Sequence, residues 1–263
     1  MADDGSTDMR RIFVEPEAFD DCTIYIKDKE SISYISVVLR LKTGDALFVS
    51  DGVSKAYETR ISGIGKNEIT LHVITEQPFT DGYNTRITLY QGLPKGSKMD
   101  EIVRKSTELG VYHIVPVETA RSVPDREKGA QASKLERWQR IAKEAARQSC
   151  RTSVPEVKSA MKFSDATAEL KPEGYDIILA LYELEEKRTL KHALQDGLHL
   201  MGHSGICFPK IAVFIGPEGG FEQYEVDSLI HEGASSVTIG ETILRTETAG
   251  PAAVAMILYE CEL

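Results

Sequence analysis

The chain has 263 residues, 41% of them hydrophobic and 27% charged, with a formal net charge of −10. Those totals exclude a disordered chain and a histone-like polybasic binder, and no stretch reaches the ~18 uninterrupted apolar residues of a membrane-spanning helix. The charge is uneven: −5 over residues 1–80, +5 over 81–160 and −10 over 161–263. The first residues are acidic and polar, unlike a signal or transit peptide. The four cysteines are widely spaced and form no CxxC pair. The expectation is a reduced, cytoplasmic protein with no membrane partner, no disulfide framework and no metal site.

In chain order, the first signals are mostly β. Arg11 to Val14 reads as a short strand, and a helix is predicted near Ser31 to Leu41. Ala46 to Val49 runs into the turn pair Asp51-Gly52. Ala56 to Ile61 and Ile69 to Ile74 alternate, with Gly63 and Gly65 read as bracketing the turn between them. Short strands broken by Gly and Asp turns predict a small barrel or sandwich. Gln77 to Gly82 is rich in breakers, which places the boundary between a β-rich domain (9–80) and a second domain (81–263).

Past that boundary, strands alternate with helices. Arg86 to Gln91, His113 to Val117, Ile177 to Leu181, Ile211 to Ile215 and Ser236 to Ile239 read as buried strands. Met99 to Leu109 reads as a helix capped by Gly110, Ser133 to Ser149 as a long helix, and Thr248 to Tyr259 as a last apolar helix whose Pro251 falls in the first turn. This order predicts an α/β domain with a mostly parallel sheet.

Three segments carry candidate chemistry. The long helix places Leu135, Trp138, Ile141, Ala142 and Ala145 on one arc and Arg137, Arg140, Lys143, Arg147 and Arg151 on another. That basic stripe is either a solvated face or a polyanion footprint, with Lys95, Lys98 and Arg121 nearby in sequence. Ile215 runs into Gly216-Pro217-Glu218-Gly219-Gly220 and then a helix from Glu222. The layout is that of many nucleotide sites, yet it is neither GxGxxG nor GxxxxGK[ST]. Glu218 beside a helix start would repel phosphate and suit an amine, a ribose or a cation; an ordinary tight turn is the plainer alternative. Arg245 is a lone cation before the last helix. It is either a partner of Glu241 or Glu247 or a guanidinium facing substrate. His199 and His203 are four apart but lack the third ligand a metal site requires.

Taken together, Arg10-Arg11-Ile12-Phe13, Val38-Leu39-Arg40, Gly96-Ser97-Lys98-Met99-Asp100, Lys105 to Val111, Glu144 to Ser149 with Val154-Pro155-Glu156, Ile215 to Gly220 and Leu244 to Ala249 resemble the ribosomal RNA small subunit methyltransferase E family. That family belongs to the SPOUT, or trefoil-knot, methyltransferases. The resemblance implies a PUA-like β-barrel for RNA, a C-terminal α/β knot domain and a homodimer. It implies transfer of methyl from S-adenosylmethionine to N3 of a uridine in the 16S rRNA of the small ribosomal subunit. On the same ground the cofactor would lie against Leu181, Tyr182 and Glu183, Ile215 to Gly220 (Gly216, Pro217, Glu218 and Gly219 included), and Ile239, Gly240, Ile243 and Leu244. Arg245 is the catalytic candidate. RNA would be met by Arg10, Arg11, Arg40, Lys95, Lys98, Arg121, Arg140, Lys143, Arg147 and Arg151. Two residues depart from the family pattern: Tyr34 where a His is common, and Cys150 where a Gly commonly follows Gln-Ser. The segment from Asp196 to Lys210 is also longer. A different SPOUT activity, on ribose 2′-O or guanine N1, and a non-enzymatic RNA-binding module remain the alternatives.

Overall fold

The computed structural model describes residues 10–20, 22–79, 83–122, 130–204 and 208–262. The expected domain ends at 9, 80 and 81 lie outside them. The described chain divides into two compact units, one holding the residues up to 79 together with Ala146–Val154, the other holding the rest.

The first unit is a curled sheet of β1 (Arg11–Phe13), β2 (Phe19–Asp20), β3 (Thr23–Ile26), β4 (Ala46–Ser50), β5 (Ala56–Ile64) and β6 (Ile69–Gln77). The order is β1-β4-β5-β6-β3-β2, parallel at β1/β4 and antiparallel elsewhere. Strand alternation turns Ile24, Ile26, Ile69 and Leu71 inward, where they meet Ile12, Leu47, Val49 and Ile61 in one core. The predicted helix is irregular. It begins as α1 (Lys29–Ser33), where the Asp28 side chain accepts from the Ser31 N–H at 2.7 Å, and continues as a π-helical stretch over Tyr34–Val38. Gly63 does not sit in the turn. β5 runs through it to Ile64, and the register shift between Ile61 and Gly63 makes it part of a bulge.

Residues 146–154 complete this unit. Ser50 Oγ donates to the Thr152 carbonyl at 2.7 Å and the Val154 N–H to the Gly52 carbonyl at 3.2 Å. The Arg147 guanidinium lies over the Tyr34 ring, 3.8 Å from its centroid. The Arg11 guanidinium covers Phe48 at 3.9 Å and donates to the Cys150 carbonyl. Cys150 itself has φ +57°, the left-handed region that a Cβ disfavours.

The second unit is a parallel sheet of β7 (Arg86–Gly92), β8 (His113–Glu118), β9 (Glu156–Val157), β10 (Met161–Lys162), β11 (Ile177–Leu181), β12 (Lys210–Ile215) and β13 (Ser235–Val237). Its order is β10-β8-β7-β12-β11-β13, with β9 also on β8. The crossovers carry α2 (Lys98–Glu108), α3 (Ala130–Gln148), α4 (Phe163–Glu173), α5 (Leu190–Ser204) and α6 (Gln223–His231), and α7 (Thr246–Glu262) follows β13. Because helices cover the faces, β7 and β12 are almost wholly buried, which is why they read as unbroken apolar runs. Tyr90, Val115, Ala212 and Phe214 pack with α4 and α6, and the Tyr90 and Phe214 rings stack at 4.3 Å. α7 packs against α2, α5, β7 and β12. It starts two residues earlier than predicted, so Pro251 lies in its second turn. α4, β2, β3, β9 and β10 were not foreseen. The second unit thus has the expected α/β architecture with a parallel sheet, and the first the expected β-rich sheet.

A non-glycine residue in the left-handed region costs roughly 1–2 kcal/mol, partly offset on replacement by the extra unfolded-state freedom of glycine. Cys150→Gly is therefore expected to raise stability by about 0.5–1 kcal/mol. Chemical denaturation reads this directly, and an unchanged or lowered midpoint counts against it.

Candidate active site

Three adjacent parallel strands end level with one another. Leu181, last in β11, lies opposite Ile215 of β12 and Val237 of β13. The chain therefore leaves the sheet at three neighbouring points, into Tyr182-Glu183, Gly216–Gly220 and Thr238–Gly240. In open α/β sheets, ligands gather at such carboxyl ends. Side-chain roles within this trio differ. Tyr182 is buried in the α6-side core, and its hydroxyl donates to Gln223 Oε1 at 3.0 Å, so the ring is structural. Its N–H donates to the Val237 carbonyl at 3.1 Å, tying the first loop to the third. Glu183 is exposed and its carboxylate rests against Gly220. Gly240 has φ +147°, and the Thr238 hydroxyl donates to its carbonyl at 2.9 Å. Ile239 and Leu244 are half-buried, while Ile243 is 79% exposed.

The glycine loop is tight. The Gly220 N–H donates to the Pro217 carbonyl at 2.9 Å, and Gly220 has φ +69°. A Cβ on Gly216 would stand 2.9 Å from the Gly220 carbonyl carbon, and one on Gly92, at the end of β7, would stand 2.8 Å from the Pro217 nitrogen. A buried relay fixes the loop from below. Gln91 Nε2 donates to Thr246 Oγ1 at 2.9 Å, and Thr246 Oγ1 donates to the Gly216 carbonyl at 2.7 Å. Neither Gln91 nor Thr246 was singled out from the sequence. A glutamine closing the apolar strand Ile-Thr-Leu-Tyr-Gln was the available signal, since a fully buried amide must find partners.

Glu218 has partners within the protein. It forms an ion pair with Lys98 Nζ at 2.9 Å and accepts the Lys95 N–H at 3.1 Å. Partial burial alone would raise its pKa, but those hydrogen bonds outweigh it and hold the carboxyl below its ordinary value. Lys98 also reaches Glu247 at 3.5 Å, and its pKa is raised, chiefly by the hydrogen bond to Glu218. Lys98 is thus a strut between the glycine loop and α7 rather than an open RNA contact. Arg121 is a second strut. It donates to the Gly219 carbonyl and pairs with Glu222 at 2.8 Å, which raises its pKa. Behind it, the buried Glu225 accepts from the N–H groups of Ala120 and Glu222, both at 2.9 Å. Glu225 was also missed, being hidden among surface-type residues of a short helix.

Arg245 is exposed. Its carbonyl accepts the Thr248 and Ala249 N–H groups at 2.8 Å and so opens α7, while its guanidinium makes no ion pair with Glu241 or Glu247 among the described residues. The basic arc of α3 divides. Arg140 and Lys143 are exposed, and Arg137 pairs with Asp100 of α2. Arg147 and Arg151 depart from the expected open stripe. α3 stops at Gln148, Arg147 is stacked on Tyr34, and Arg151 is 7% exposed with Nη2 donating to Ser153 Oγ at 3.2 Å. In the first unit, Arg10 and Arg40 are exposed, Arg10 donating to the Leu39 carbonyl at 3.1 Å, whereas Arg11 is held by Phe48 and Cys150. Among the described residues, no cluster of three His, Cys, Asp or Glu side chains could hold a metal ion; the side chain of His203 and all of Cys207 lie outside them.

Comparison with known proteins agrees with this geometry. Residues 82–258 match the family described as an RNA methyltransferase domain, and residues 26–74 match an RNA methyltransferase PUA domain. The ribosomal RNA small subunit methyltransferase E of Bacillus subtilis is 29% identical over 97% of this chain and 98% of its own length. That of Synechocystis is 31% identical over 94% of this chain and 76% of its own. The crystal structure of the Neisseria gonorrhoeae enzyme of that name, bound to S-adenosylmethionine, superposes with a TM-score of 0.78 at 29% identity, covering 95% of this chain and 97% of that one.

The contact of Gly92 with Pro217 generates a test. Gly92→Ala forces a backbone shift in the glycine loop and is expected to cost about 1–3 kcal/mol, the range for overpacking a filled site. A denaturation midpoint equal to that of the unaltered protein would show the loop to be looser than its geometry indicates.

Proposed function

The chain belongs to the ribosomal RNA small subunit methyltransferase E family, and on that premise we propose that it methylates N3 of a uridine in the 16S rRNA of the small ribosomal subunit, with S-adenosylmethionine as methyl donor. The observation that carries this reading is the level ending of β11, β12 and β13, which sets three loops side by side at one edge of the sheet. The loops suit a donor without phosphate. They offer backbone N–H and C=O groups and the exposed Glu183 carboxylate, while the nearby cations Lys98 and Arg121 are already paired with carboxylates. Leu181, Ile215, Gly216, Pro217, Gly219, Gly220, Ile239, Gly240 and Leu244 would line the cofactor, with Glu183 facing its amine. S-Adenosylmethionine supplies an electrophilic methyl group on a sulfonium.

The reaction forms a bond from N3 to the methyl carbon as the sulfur–carbon bond breaks, and the N3 proton is released. Negative charge develops on the uracil carbonyl oxygens as that proton leaves. Arg245, exposed at the head of α7 and without an ion pair among the described residues, is the side chain to which we assign its stabilisation. Holding nitrogen, methyl and sulfur in line supplies much of the remaining acceleration, and the target base must be unpaired or flipped to reach the loops. We assign RNA binding to the N-terminal domain (9–80), through Arg10 and Arg40, and to the exposed Arg140 and Lys143 of α3, with methyl transfer in 81–263.

We further propose that the protein acts as a homodimer in the cytoplasm, where ribosomes are assembled. Met256 and Tyr259 on α7 are 45% and 68% exposed and Leu109 after α2 is 36% exposed, so apolar side chains reach solvent on and beside two helices that pack together. No helix among the described residues is long and apolar enough to cross a membrane.

Labelled S-adenosylmethionine, small subunits lacking the modification and mass spectrometry of the nucleosides test the reaction. N3-methyluridine is the expected product, and 2′-O-methylation, N1-methylguanosine or no label would overturn the assignment. Arg245→Ala is expected to lower kcat by about 10²–10³, the scale of a lost oxyanion donor, with calorimetric cofactor binding intact. Replacing both Arg140 and Lys143 with Ala should flatten the slope of log K against log salt by about 1.4–1.8; an unchanged slope would remove α3 from the RNA footprint.

A further inference from the structure

The second unit holds a cleft of about 180 Å³ that the proposed reaction leaves unused. Its apolar lining comes from Leu93 and Pro94 in the loop after β7, with the largely buried Trp138 of α3 and Met99 of α2 showing 7% and 2% of their surfaces. Its rim is polar and arranged in two pairs. Arg137 binds Asp100, and Gln131 Nε2 donates to Glu118 Oε1 at 3.2 Å. Lys134 adds a further cation to the rim, and Ala160 closes one wall.

We propose that this cleft receives one unpaired nucleobase of the RNA substrate, a base that carries an exocyclic amine and flanks the methylated uridine. The proposal rests on the RNA-methyltransferase reading and extends it to substrate selection. Four features carry it. The volume is below the ~300–1,000 Å³ of sites for drug-sized ligands, which suits a single heterocycle rather than a helix or a duplex. The accessible edge of Trp138 and the aliphatic surfaces of Leu93 and Pro94 offer a heterocycle apolar contact. Glu118 places a carboxylate acceptor at the edge, and it takes a hydrogen bond from an exocyclic amine, a group that uracil lacks. Gln131 yields its bond to Glu118 at little cost, because its own side chain is exposed. The rim cations Lys134 and Arg137, the latter paired with Asp100, keep the mouth of the cleft cationic.

Position supports the flanking role. The cleft lies at the carboxyl ends of β7 and β8, one and two strands from β12 in the sheet order, at ~4.8 Å per strand. The same helix that supplies Trp138 continues into the exposed Arg140 and Lys143. An RNA strand with its acceptor at the β11–β13 loops would pass the cleft on its way along α3.

Trp138 is the only tryptophan in the chain, so its emission reports on the cleft alone. The experiment titrates the full-length protein with short oligocytidylate and oligouridylate. Saturable quenching is expected with the former, and binding of the latter should be about tenfold weaker, the scale of one carboxylate–amine discrimination. Ala160→Phe fills the cleft from its wall. It should abolish the quench and raise the RNA Kd about tenfold, the scale of one lost base contact, with melting temperature and S-adenosylmethionine heat unchanged. Equal quenching by the two oligomers, no quenching despite RNA binding, or wild-type RNA affinity in A160F would each overturn the proposal while leaving the methyltransferase reading intact. Loss of both RNA and cofactor binding in the unaltered protein would instead sink that reading. If A160F fails to bind cofactor, Glu118→Gln decides: the preference for cytidine should collapse, and its persistence would overturn the assignment.

Discussion

The hydrogen bond from the Thr246 hydroxyl to the Gly216 carbonyl joins parts of the chain that would otherwise have no reason to move together. Thr246 opens α7, directly after Arg245, and Gly216 opens the loop after β12. Gln91, at the far end of β7, holds the hydroxyl in place from beneath. A threonine hydroxyl that accepts from one partner and donates to another has its direction set, and in a dry interior such a chain is stiff. Loop and guanidinium are thereby referenced to the same central strands. Lys98, bridging Glu218 and Glu247, repeats the connection on the exposed side. The two ties, one neutral and buried and one ionic and wet, hold the glycine loop between them.

This arrangement also explains how an acidic protein can serve a polyanionic substrate. The cations near the glycine loop are spent on carboxylates: Lys98 on Glu218 and Glu247, Arg121 on Glu222. Those pairs keep a low net charge where a phosphate-free ligand would sit. Arg140 and Lys143 on α3 and Arg10 and Arg40 in the first unit are exposed, and they are the side chains proposed to meet phosphates. Charge is sorted by position in the fold, which a tally along the chain shows only coarsely.

Much of the second unit was legible because burial on both faces writes itself as apolar runs. Arg86 to Gln91, His113 to Val117 and Ile211 to Ile215 each came within a residue of the strand observed. The two-residue strands β2, β9 and β10 leave no such mark, because their pairing is decided by distant neighbours. The basic stripe of α3 was read with helical periodicity through Arg151. The helix stops at Gln148, and Cys150 turns the chain through the left-handed region. Tertiary partners then decide the rest: Tyr34 takes Arg147, and Ser153 helps to bury Arg151. The ion pair of Glu218 was hidden for a related reason. Its position beside a glycine loop was visible, but its pairing with a lysine 120 residues earlier was not. The three loops were found because strand ends, unlike side-chain partners, follow from local pattern.

The first unit draws on two stretches of chain, the residues up to 79 and Ala146–Val154. Its β4–β5 corner is closed by the bridge between Gly52 and Ser153. During synthesis the N-terminal sheet therefore leaves the ribosome well before its last segment exists. At ~5–20 residues per second, the roughly 70 intervening residues take about 4–14 s to be made. Through that interval, the groups that later bind Thr152 and Val154 are exposed, among them the Ser50 hydroxyl and the Gly52 carbonyl. Completion of the N-terminal sheet is thus timed by the translation of a segment that follows it by about a quarter of the chain.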